Sequence, residues 1–174
     1  LQVVTIVNIK NLTTAWVDST IAQLSTLKPI RHSSYNLQRD MVLNFGSSIT
    51  GYYNDKVKNE YTIINDTAKY AYFDSNLYPI LLEWLPLKLG YTQDISIYDY
   101  NPSAKIGFFK ASVQEVKDGT YSTIKSGTME VWIVVVTDEI SNGVSTYYID
   151  KKDRKLWRQE INAGGRQMLM QRVE

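Results

Sequence analysis

A chain with no cysteine must rest any hydrolytic chemistry on carboxylates, hydroxyls and histidine, and this sequence arranges few of them usefully. His32 is the sole histidine, which rules out multi-histidine metal sites and leaves one imidazole on which a Ser-His-Asp triad could be built. Its neighbours, Ile30 to Asn36, contain no nucleophile elbow and alternate as a strand does. His32 therefore reads as a structural strand side chain. Two acidic groups suffice for glycoside hydrolysis, but Asp138 and Glu139 are adjacent and face opposite sides of a strand. Asp94 and Asp99 differ by an odd number and also point apart. The nine glycines form neither a phosphate loop nor a dinucleotide fingerprint. The expectation is no catalytic residue, no metal and no cofactor, with a hydrolase surviving only if folding brings distant carboxylates together.

Aromatic side chains are the other candidates. Thirteen tyrosines and four tryptophans suit strands and edges, and a subset of them suits a ligand pocket, whose walls are typically apolar and aromatic. They concentrate between Lys69 and Leu87. Tyr70, Tyr72, Phe73, Tyr78, Leu81 and Trp84, together with Trp132, are the expected ligand-binding residues.

Elements that would position these groups follow from apolar periodicity. Short runs with apolar residues at every second position recur at 3–9, 15–22, 40–45, 49–54 and 60–65, and again at 94–100, 105–116, 129–138, 145–150, 155–161 and 166–173. Polar breakers between them give the spacing of an antiparallel meander. From Val131 to Val136 both parities are apolar, which marks a central strand covered on both faces. One stretch departs from period two. Leu77, Ile80, Leu81, Trp84 and Leu85 follow the i, i+3, i+4, i+7, i+8 spacing of a helical face. Ser75 or Asn76 is placed to cap it, Pro79 fits its first turn and Pro86 ends it. The pattern predicts a mainly β protein, residues 1–174 forming one β-rich domain. Its architecture is a single curved antiparallel sheet or incomplete barrel of about ten to twelve strands with one short amphipathic helix.

Charge narrows the partners. Nineteen basic and eighteen acidic residues leave a net charge of +1, without the basic stripe that nucleic acid or an anionic membrane requires. No apolar stretch approaches the roughly 20 residues of a membrane-spanning helix. The tip Asp150-Lys151-Lys152-Asp153-Arg154 alternates in sign and reads as turn chemistry. Beyond it Arg158 and Glu160 share a strand face. Because the chain opens at Leu1 without methionine, a leader or preceding domain is expected ahead of it.

Several segments together resemble a known group. "LKPIRHSSYN", "RDMVLNFG", "ITGYYND", "LPLKLGYT" and "TYYIDKKDRKLWRQEINAGGRQMLM" occur in the order found in a family of uncharacterised exported bacterial proteins of unknown function. The resemblance implies an antiparallel β domain exported to the periplasm or outer membrane of a Gram-negative cell, and it brings no catalytic residues with it. The resulting expectation is a non-enzymatic envelope protein that binds a lipid, an acyl chain or an envelope protein. The alternatives are an envelope hydrolase and a carbohydrate-binding module.

Overall fold

The computed structural model describes residues 1–8, 13–68 and 71–173. It is mainly β with one short helix, as the periodicity predicts. Among the described residues the strands fall into two antiparallel sheets and no closed barrel, where the expectation was a single curved sheet or an incomplete barrel. The chain divides into two compact units, Leu1–Tyr78 and Pro79–Glu174.

The first unit is a meander of β1 (Gln2–Val7), β2 (Trp16–Ala22), β3 (Pro29–Tyr35), β4 (Arg39–Phe45), β5 (Ser48–Asp55) and β6 (Glu60–Thr67), each paired with the next. β3 carries His32, whose neighbours alternate as a strand does, although Arg31, Ser33 and Ser34 keep it out of the apolar runs. Register places Thr20, His32, Leu43, Gly51 and Ile64 in one transverse row. Four of these are buried. Side chains two residues along a strand share a face, so Asp18, Ser34, Met41 and Tyr53 lie on this same inner face. A short strand, β7 (Phe73–Asp74), then leads into a 3-10 turn at Ser75–Leu77.

Helix α1 (Tyr78–Trp84) is seven residues long and stops before Pro86, which cannot continue a helix. Its buried face differs from the expected one: Leu77, Tyr78, Leu81 and Leu82 are buried, whereas Trp84 is 51% exposed. The 3-10 turn at the entrance winds with three residues per turn instead of 3.6 and so rotates the face that follows. Capping also departs from expectation. Asp74 occupies the N-cap position without a side-chain capping bond, and Asn76 directs its amide to Thr20.

The second unit carries β8 (Gln93–Tyr100), β9 (Ile106–Thr123), β10 (Gly127–Asp138), β11 (Gly143–Asp150), β12 (Leu156–Ala163) and β13 (Arg166–Gln171), again in sequential pairing. β10 runs between β9 and β11. Val131, Val134 and Val136 on it are fully buried, which agrees with the central position its double apolar parity predicts.

The charged β11–β12 tip is scaffold. Asp150 is buried, its Oδ1 accepts from the backbone N–H of Lys152 and Asp153, and its Oδ2 accepts from Trp157 Nε1 at 3.0 Å. Arg154 takes the left-handed conformation, φ 65°, that lets the turn close. Arg158 and Glu160 pair with each other at 2.6 Å along one strand.

Candidate functional site: a cavity beside a buried histidine–carboxylate pair

A meander brings every second turn to the same end of its sheet. The β2–β3 turn, the β4–β5 turn and the end of β6 therefore meet, and residues 71–73 complete the wall of a cavity there. Its volume is about 530 Å³, and its lining includes Gln23, Thr26, Lys28, Ser47, Tyr72 and Phe73. The volume lies within the range of small-molecule sites. Tyr72 and Phe73 supply apolar wall, and Lys28 is the only charged residue among the described residues that line it.

The turn that carries Lys28 is held by its own residues. Leu27 N–H donates to Gln23 O and Gln23 N–H to Lys28 O, both at 2.9 Å. Closing this turn puts Leu27 at φ 55°, an uncommon conformation for a branched residue. Burial of the Leu27 side chain offsets that strain. Phe45, on the inner face beyond Leu43, approaches Tyr72 with ring centroids 6.0 Å apart.

The row of His32 lies two residues further into the sheet. Asp74 Oδ2 accepts from Thr20 Oγ1 at 2.5 Å and sits 2.9 Å from His32 Nδ1. Asn76 Nδ2 donates to Thr20 Oγ1 at 3.1 Å, and that hydroxyl is 3.1 Å from His32 Nδ1. Exposure is 0% for Thr20, 5% for His32 and 1% for Asp74. An ionised carboxylate only accepts hydrogen bonds, so the proton at this contact belongs to Nδ1. Burial by itself lowers the affinity of His32 for a second proton. The charge of Asp74, its hydrogen bond and the more distant Asp18 together outweigh burial and the opposing Arg39, so the imidazole pKa is raised above its ordinary value.

Thr20, His32 and Asp74 have the residue types of a hydrolytic triad without its geometry. The hydroxyl points to the carboxylate and is sealed from any substrate. Further along the same face, Trp16 Nε1 and Arg39 Nη2 both donate to Ser34 Oγ at 3.2 Å. The Arg39 guanidinium also lies 5.5 Å over the Trp16 ring.

Other carboxylates are committed elsewhere. Glu139 accepts from the Lys110 N–H at 2.8 Å, and Asp138 holds the turn at Ser141. Asp94 accepts from Ser112, which with Lys110 holds its carboxyl below the usual range. Glu83 differs. Burial, reinforced by Asp153 and opposed by Arg172, raises its pKa to about 7. Asp153 is itself paired with Lys155, 2.5 Å away. Among the described residues no group of three or more His, Asp or Glu is arranged to hold a metal ion.

A carboxyl kept neutral by the fold costs stability once pH rises. The unfolded chain ionises near 4.5 and the folded one near 7, so the stability contributed by the neutral form is complete below 4.5 and lost through that window. Allowing for solvent screening at a half-exposed group, Glu83→Gln is expected to stabilise the protein by about 1–2 kcal/mol at pH 8 and by little at pH 4.5. Urea denaturation at the two pH values measures this.

The expected binding residues are dispersed. Tyr72 and Phe73 line the cavity, and Tyr70 lies outside the described residues. Tyr78 and Leu81 are buried on the helix, with Trp84 exposed on the same helix. Trp132 sits on β10 beneath Lys151, whose ammonium is 4.3 Å from the ring and pairs with Asp118. Periodicity missed Gln23, Thr26, Lys28 and Ser47, which are turn residues. It also missed the partners of His32, for which the one available signal was the polar alternation Asp18, Thr20 and His32, Ser34.

Fold and site together define a mainly β protein with two antiparallel meanders and a turn-lined cavity next to a buried ion pair. The chain belongs to the family described as protein of unknown function DUF3108, whose model matches residues 1–171. No curated protein and no solved structure is a significant match. No helix among the described residues is long and apolar enough to cross a membrane.

Proposed function

We propose that the first unit binds an anionic amphiphile, an acyl chain with a charged head group, and that the protein does so as an exported, non-enzymatic component of the bacterial cell envelope. The cavity carries this reading. Tyr72, Phe73, Ala68 and Ala71 offer apolar wall to a chain, Lys28 offers a cation to its head, and Gln23, Thr26 and Ser47 offer neutral hydrogen bonds. The envelope placement rests on the resemblance of segment order to exported proteins. Against catalysis stands the commitment of Asp94, Asp138, Glu139 and Asp153 to structural partners.

A long-chain alkyl sulfonate, ionised at every working pH, serves as probe for calorimetric titration of delipidated protein. Reversing the charge with Lys28→Glu is expected to weaken binding about tenfold, the loss of one charge-assisted contact worth about 1.4 kcal/mol. Filling the space with Ala71→Trp should abolish binding while the β circular dichroism is retained. A wild-type protein that takes up no probe, or two variants that bind as tightly as wild type, would overturn the proposal.

A further inference from the structure

Asp74 and Asn76 anchor the segment that forms one wall of the cavity, and they do so through two side chains of the sheet. Tyr72 and Phe73 immediately precede Asp74, so any displacement of the Asp74 carboxylate moves the backbone that aims both rings. The anchor is electrostatic as well as hydrogen-bonded. Asp74 on β7 meets the imidazole of His32 on β3 at 2.9 Å. Two further charges act on that imidazole: Asp18 on β2 favours its cationic form and Arg39 on β4 disfavours it.

We propose that the His32–Asp74 pair is a protonation latch on the cavity: with His32 cationic, the 71–77 segment is held against the sheet and the cavity is competent to bind, and with His32 neutral the segment loosens and affinity falls. This rests on the amphiphile-binding reading and adds its regulation.

The charge balance sets the direction. A neutral imidazole still donates from Nδ1, but the proton lost to solvent leaves Asp74 as a buried anion that keeps its Thr20 bond without a countercharge from His32. A buried charge of this kind is costly unless paired. The raised pKa means that the latch is closed below about 6.5, the ordinary histidine value, and opens as pH climbs through the folded value above it. Ligand binding to the closed form must then be accompanied by proton uptake.

Three readouts on the full chain test this. His32 is the sole histidine, so its imidazole proton resonances titrate without overlap and report its protonation directly. Hydrogen-exchange protection factors of the 71–77 amides report the segment, and titration with the alkyl sulfonate reports the cavity. The expected result is that affinity and protection both drop several-fold between pH 6 and pH 8.5, following the His32 titration. In His32→Gln and Asp74→Asn, which keep neutral hydrogen bonding, both should be flat. Affinity and protection that stay constant in wild type while His32 titrates would overturn the latch, as would a pH dependence that survives in both variants. If the probe binds at no pH, the ligand reading fails, and segment protection alone then decides: pH-dependent protection that vanishes in the variants retains the latch, and its absence removes it.

Discussion

Replacing Asp74 by alanine is expected to destabilise the protein by about 3–5 kcal/mol at pH 6, the loss typical of a buried ion pair deprived of one partner. Three groups are orphaned at once. The His32 imidazolium loses its countercharge, Thr20 Oγ1 loses its acceptor, and the 3-10 turn at Ser75–Leu77 loses its tie to β3, keeping only the Asn76–Thr20 bond to β2. Asp74→Asn keeps the size and a hydrogen-bonding carbonyl, so its cost should be smaller, about 1–3 kcal/mol. The cost of Asp74→Ala should also shrink at pH 8.5. Because the folded pKa of His32 is raised, the stability from this pair is fully present below the unfolded value near 6.5 and is lost as pH rises through the folded value. Urea denaturation of wild type, Asp74→Ala, His32→Gln and the double variant at both pH values gives the coupling directly. A coupling near zero at pH 6 would show that the pair contributes little beyond packing.

Gly51→Ala is the second substitution with a large expected effect, about 4 kcal/mol or more. A Cβ at Gly51 would lie 1.9 Å from the carbonyl oxygen of Val42 and 2.8 Å from its carbonyl carbon. The obstacle is backbone, so no rotamer change relieves it, and the β4–β5 ladder must part. Gly51 lies in the row of Thr20, His32, Leu43 and Ile64, so the disturbance falls in the transverse line that holds the ion pair. It is also in the hairpin whose turn contributes Gly46 and Ser47 to the cavity. Reduced probe affinity should therefore accompany the loss of stability. Gly46→Ala supplies the control: its added methyl meets nothing nearer than 3.6 Å, and its expected effect on stability is within about 0.5 kcal/mol. Equal midpoints for the two variants would mean that β5 does not press on β4 as closely as the geometry requires.

The two substitutions act on different supports of one arrangement. A meander gives each strand a neighbour that is also near in sequence, so the first sheet needs little beyond alternation and turns to align its register. What it does not supply by local pairing is a cover for its polar inner positions. Asp74 and Asn76 provide it, arriving 42 and 56 residues along the chain from His32 and Thr20 respectively.

The sequence by itself determined the class, since period-two alternation and turn residues at short spacing are local signals that tertiary contacts seldom overturn. All eleven expected runs overlap strands, and those strands pair in sequential order within each sheet. The helix and its stop at Pro86 were equally legible, because proline acts within its own turn. Only the tertiary structure decided that the strands divide into two sheets, that Trp84 faces outward, and that Thr20, His32 and Ser34 point inward where alternating polarity alone suggests solvent. Burial of a polar side chain depends on whether a partner reaches it. That partner comes from a distant segment, and no spacing within β2 or β3 encodes its arrival.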